Sequence, residues 1–154
     1  MSQRAVLVGV SAAALAAAIA AAVWWHRRPT PVGLASGELS FRGHTGIFQL
    51  HPTFCRKAVA GRGAGLYDSA APALAFGYFD DLDGGEWVEA QGPGTIGATR
   101  FDREDCTVFE ATASLAAGLS SGHVEVVCEA PKSPGVTQVE GEVWFWACGV
   151  GASP

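Results

Sequence analysis

Hydrophobic positions follow two different patterns along this chain, one before Pro29 and one after it. Ala5 to Trp25 is an unbroken run of 21 residues without a charge. A helix of that length covers ~31 Å, about the thickness of a bilayer's hydrocarbon core. Ten of the 21 residues are Ala, so strongly apolar side chains such as Leu7, Leu15 and Ile19 carry the insertion. Together the seven such residues, Val6, Leu7, Val8, Val10, Leu15, Ile19 and Val23, supply roughly −2 to −4 kcal/mol. Trp24 and Trp25 close the run where an interfacial aromatic belt belongs. Arg27 and Arg28 follow as headgroup anchors, and Pro29 and Pro31 stop the helix. Residues 1–28 are therefore expected to be a membrane anchor crossing the lipid bilayer through residues 5–25. The alternative is a signal peptide cleaved at Ala20-Ala21-Ala22, after which the domain is secreted.

Beyond Pro29 the period shortens to two. Residues 29–36, Pro- and Gly-rich, are expected to form a linker, and residues 37–154 a single domain. Glu38–Phe41 and Ile47–Leu50 flank a Gly-rich turn. Ala73–Phe79 and Glu86–Ala90 flank Asp80-Asp81-Leu82-Asp83-Gly84-Gly85. Both pairs read as hairpins. Further strands are expected near 95–101, 106–113, 123–129 and 139–148, with a short helix competing only over 111–119. Within 140–146 the even and odd positions separate only partly, as in a strand buried on both faces. The expected fold is all-β: a small antiparallel sandwich or barrel of about 7–9 short strands behind one hydrophobic helix.

Charge narrows the partners. Residues 30–154 hold seven basic against fifteen acidic residues, a formal charge of −8, while Arg4, Arg27 and Arg28 lie in the leader. Nucleic acid would be repelled at long range. The positive residues flanking the hydrophobic run nearly balance, so charge alone leaves its orientation open.

The cysteines decide it. Cys55, Cys106, Cys128 and Cys148 all lie in the domain, an even number behind an export-like segment, which points to two disulfides and an extracytoplasmic side. If residues 122–130 and 138–148 form a hairpin turning near Ser133-Pro134-Gly135, Cys128 faces roughly Gly141. Cys148 then lies ~23 Å away along the strand, too far for a bridge. The favoured pairing is Cys55–Cys148 with Cys106–Cys128.

No motif identifies a reaction. Gly118-Leu119-Ser120-Ser121-Gly122 matches G-x-S-x-G, but a strand rather than a helix follows it, and the chain has no His after His123. Gly61–Gly65 beside Arg56, Lys57 and Arg62 lacks the strand–turn–helix context of a phosphate loop. Asp80, Asp81, Asp83 and Glu86 do not fit an EF-hand register. The histidines His44, His51 and His123 and the cysteines lack zinc-finger spacing. His44, His51 and Asp68 have no spacing that requires them to meet. Neither a metal, a cofactor nor a catalytic set is assigned, and the small-molecule ligand is unknown. Trp87, Trp144 and Trp146 remain; as strand residues they are core candidates, and Trp144 with Trp146 is the candidate binding surface if one face is exposed.

The expectation is a membrane-anchored or exported β-domain acting as a binding or structural module of a bacterial cell envelope, with an envelope protein as partner. The alternatives are a small extracytoplasmic hydrolase or metal-dependent enzyme, and an accessory subunit of a membrane complex.

Overall fold

The computed structural model describes residues 33–58, 61–81, 83–95 and 97–150. The hydrophobic helix expected over 5–25, with Ala5, Leu7, Leu15, Ile19, Trp24, Trp25, Arg27 and Arg28, lies outside them. Among the described residues no helix is long and apolar enough to cross a membrane.

Among the described residues ten strands form one antiparallel sheet: β1 (Gly33–Gly43), β2 (Gly46–Leu50), β3 (Phe54–Lys57), β4 (Ala64–Tyr67), β5 (Ala75–Asp80), β6 (Glu86–Gln91), β7 (Thr99–Asp102), β8 (Cys106–Ala116), β9 (Leu119–Glu129) and β10 (Val136–Cys148). The order is β7-β6-β5-β4-β3-β1-β10-β9-β8, with β2 paired to β1 beyond β3. The sheet curls into a nearly closed barrel, so of the two expected architectures the barrel is the one found. Strands β1, β8, β9 and β10 run to 11–13 residues, longer than expected.

Alternation explains the wall. Leu39, Phe41, Phe76, Tyr78, Val88, Phe101, Val124, Val126, Val143 and Phe145 are buried and fill the interior. Curvature needs residues without a Cβ where strands press together. Gly37 and Gly141 have φ of +119° and +139°, and a Cβ on either would strike the backbone of the neighbouring strand at Glu142 or Glu38.

The two ends of the sheet meet across a single 3-10 turn, Arg103–Asp105. Arg103 spans that seam. Its Nη1 donates to Glu86 Oε2 at 2.7 Å and its Nη2 to the Phe109 carbonyl at 3.2 Å, tying β6 to β8.

Four expectations change. Residues 33–36, read as linker, are the first residues of β1, paired with β10 and β3. Residues 111–119 form no helix: β8 runs on to Ala116 and turns into β9 through Ala117 and Gly118, both at positive φ. Ladder pairing overrides the Ala-rich composition there. The β9–β10 hairpin turns where expected, but Cys128 faces Val139 and Gly141 faces Val126, two residues from the expected register. Finally, β10 is not buried on both faces: Val143 and Phe145 point inward, Trp144 and Trp146 outward.

Two disulfides staple the barrel, Cys55–Cys148 and Cys106–Cys128. The second joins residues directly opposite in β8 and β9. The first joins β3 to β10 across the start of β1. A bulge makes it reachable: Ala147, at φ 53°, adds a residue between outward Trp146 and inward Cys148.

Candidate functional site

The outer face of β1, β10, β9 and β8 carries side chains in rows across the strands. One row reads Ser36, Trp144, His123, Thr112, and the next reads Glu38, Glu142, Glu125, Glu110. Towards the start of β1, Leu34 pairs with Trp146. Leu34, Trp144 and Trp146 are 69%, 36% and 47% exposed. The face is therefore an apolar and aromatic patch beside a line of four carboxylates.

Local contacts hold this arrangement. The His123 ring lies 4.9 Å from that of Trp144, and its Nε2 donates to Glu142 Oε1 at 2.8 Å. His123 thus props Trp144 on one side and neutralises part of the glutamate row when protonated. Opposite glutamates repel, and neighbouring strands lie only ~4.8 Å apart. Ser121 Oγ accepts from the Ala147 N–H at 2.9 Å, fixing the bulge that aims Trp146 outward.

Trp87 belongs elsewhere. It stacks on Phe79 with ring centroids 5.3 Å apart, and the Arg100 guanidinium covers it at 4.2 Å. It presents no comparable free surface, so Trp144 and Trp146 make the exposed pair.

A concavity lies at the other end of the barrel. A cleft of about 840 Å³ opens between the β6–β7 connection and the β9–β10 turn, bordered by Thr95, Arg100, Asp105, Glu129 and Lys132. Thr99 Oγ1 and Ser133 Oγ, 2.8 Å apart, tie its walls together. Arg100 is already engaged by Asp102, at 2.6 and 2.8 Å.

The weaker sequence motifs are accounted for structurally. Ser120 is buried and its hydroxyl donates to the Arg62 carbonyl, so the G-x-S-x-G serine serves packing. Ala64 and Gly65 are strand, not loop, and a Cβ on Gly61 or Gly63 would collide with the β5 backbone. Arg62 pairs with Asp80 at 2.8 Å. Asp81 Oδ1 accepts from the Asp83 and Gly85 N–H groups at 3.2 and 2.8 Å, which makes it a turn-former. His44 contacts the Ser133 carbonyl at 3.0 Å, and Asp68 caps the Ala70 N–H at 2.9 Å. His51 is exposed between β2 and β3. Among the described residues no group of three or more His, Cys, Asp or Glu is placed to hold a metal ion. Among the described residues Tyr78 is the one group whose titration is strongly displaced. Burial pushes its phenol well above the ordinary value, helped by its hydrogen bond to Glu86 Oε1 at 2.8 Å.

No family model, curated protein or solved structure matches this chain.

Sequence reasoning singled out Trp144 and Trp146 but missed the glutamate row, the His123–Glu142 pair and the cleft. The row is invisible without register, because Glu38, Glu110, Glu125 and Glu142 share no spacing along the chain.

Proposed function

We propose that this chain is an exported β-barrel module of the cell envelope that works by contact through the outer face of β1 and β10. Residues 5–25 hold it at the membrane, or the segment is cleaved at Ala20-Ala21-Ala22 after export. One observation carries the reading: Leu34, Trp144 and Trp146 stand exposed side by side on two paired strands of a barrel whose other large apolar side chains mostly point inward. Rigid aromatic side chains gathered on one face are the usual anchors of a contact surface. Two disulfides support an oxidising location, where thiols couple and remain coupled.

The cleft beside Lys132 favours a second reading, a small-molecule site. Its border mixes both signs of charge, and connecting segments make most of its wall, with Thr99 and Arg100 of β7 and Glu129 of β9 beside them.

The test is thiol trapping in the protein's own cells. Alkylation before lysis is expected to find no free thiol, and protease added to cells with a permeabilised outer layer is expected to digest the domain. Four free thiols, with digestion only after full lysis, would overturn export.

A further inference from the structure

The exposed apolar side chains are not scattered over the barrel. Among the described residues the large exposed ones are Leu34, Ile47, Leu115, Trp144, Trp146 and Val150. All but Ile47 gather towards one end. Leu34 opens β1, Trp146 lies opposite it, Val150 follows β10, and Leu115 pairs with Ser120, itself opposite Cys148. That is the end at which residues 1–32 join the barrel.

Polarity then rises in order along the strands. On β10 it runs Trp146, Trp144, Glu142, Glu140; on β1 it runs Leu34, Ser36, Glu38; on β8 the outward series runs Ala116, Ser114, Thr112, Glu110. Two residues of strand cover about 6.7 Å, so the glutamate row lies no more than about 13 Å from the Leu34–Trp146 row. A bilayer's headgroup zone is about 6 Å thick on each side. Leu34 and Trp146 therefore fit within that zone, Trp144 at its outer boundary, and the glutamates in water beyond it. A basic protein partner would match the glutamates alone. The graded order, with tryptophan between aliphatic and anionic side chains, matches a water–lipid boundary.

The chain outside the described residues points the same way. The uncharged run ends at Trp25, eight residues before Gly33. Eight residues reach at most about 28 Å, too short to carry this end of the barrel far from a bilayer that holds residues 5–25.

We infer that Leu34, Trp144 and Trp146 rest in the headgroup zone of a membrane, so that the barrel lies on the lipid surface with its glutamate row facing water. The inference rests on the contact face proposed above and names its occupant as lipid.

Tryptophan emission of the full chain in phosphatidylcholine vesicles tests it, with lipids brominated along the acyl chain as quenchers. Two reporters are read separately. The variant W24F/W25F/W87F leaves Trp144 and Trp146, and W87F/W144F/W146F leaves Trp24 and Trp25. The difference between wild type and W144F/W146F reads the same face without altering Trp87. Expected for Trp144 and Trp146 are a blue shift on adding vesicles, loss of emission to lipid brominated near the headgroup, and protection from aqueous iodide. Quenching of Trp24 and Trp25 without quenching of the barrel pair would overturn the inference and leave the anchor standing. Iodide protection without bromolipid quenching would overturn it in favour of a protein or a second copy. Quenching of the barrel pair alone would uphold it and remove the anchor. No quenching of either pair would remove both.

Discussion

Gly33 lies beneath the disulfide that Cys55 makes with Cys148. A Cβ built on Gly33 comes within 2.6 Å of Cys55 Sγ and also meets the Trp146 carbonyl and the Cys148 nitrogen. The bridge crosses β1 where β1 has no side chain. Gly33→Ala is therefore an overpacking change, expected to cost about 1–3 kcal/mol in urea unfolding. Ser36→Ala, three residues on and outward, serves as the control near zero. Equal midpoints for the two variants would show that the bridge can shift to make room.

The two bridges differ in the length of chain they close. Cys55–Cys148 spans 93 residues and Cys106–Cys128 spans 22. On the loop-entropy account the first contributes about 4–5 kcal/mol and the second about 3. C55S/C148S is expected to be the less stable double variant by about 1 kcal/mol. The reverse order would mean that local strand geometry outweighs loop length.

The turn between β8 and β9 places a non-glycine residue, Ala117 at φ 50°, in the left-handed region. Gly118 follows at φ 78°, so the turn has the positive-φ pair that favours Asn-Gly. Ala117→Asn is expected to raise stability by about 0.5–1 kcal/mol, read as a higher urea midpoint with unchanged slope. No rise, or a fall, would argue against this turn.

Tyr78 should make stability depend on alkaline pH. Its folded-state phenol is raised above its unfolded value of about 10. The stabilisation is complete below pH 10 and is lost as pH rises towards the folded value, because the unfolded phenol ionises first. Tyr78→Phe removes that titration, so its unfolding free energy is expected to fall less steeply above pH 10 than that of the parent. Parallel curves would rule out the assigned origin.

The glutamate row should weaken the barrel at low salt. Glu125 stands between Glu110 and Glu142, with a like charge on either side. Glu125→Gln is expected to raise stability by about 0.3–0.5 kcal/mol at low ionic strength and to have no effect in 1 M salt, where charges are screened beyond ~3 Å. A gain that persists in high salt would point to something other than repulsion.

Parts of this architecture are legible in the residues alone. The turns at Gly43–Gly46 and Asp80–Gly85 mark their hairpins, because Gly and Asp have few other uses between alternating runs. The spacing of Cys128 and Cys148 along one hairpin excludes their pairing, even with the register misjudged by two residues. Closure into a barrel is not legible, since inward and outward positions alternate identically in a sandwich. Residues 33–36 read as linker because they follow Pro29 and Pro31 and include Gly33 and Ser36, whereas they form the start of β1, paired with β10 and β3. The exposed aromatic face is half legible. Val143 and Phe145 are as apolar as Trp144 and Trp146, so pattern alone cannot say which pair faces out, and only cross-strand neighbours reveal the carboxylates beside them.

The bridge over Gly33 also decides how the molecule meets tension. A pull on the chain ahead of Gly33 acts along β1, which is laddered to β10 on one side and to β3 and β2 on the other. The strand must slide lengthwise out of that slot, breaking many hydrogen bonds together instead of peeling them one by one. The walls of the slot are riveted to each other at its mouth, so they cannot spread to release it. A barrel built this way resists shear applied ahead of Gly33 while oxidised, and yields sooner once the rivet is reduced.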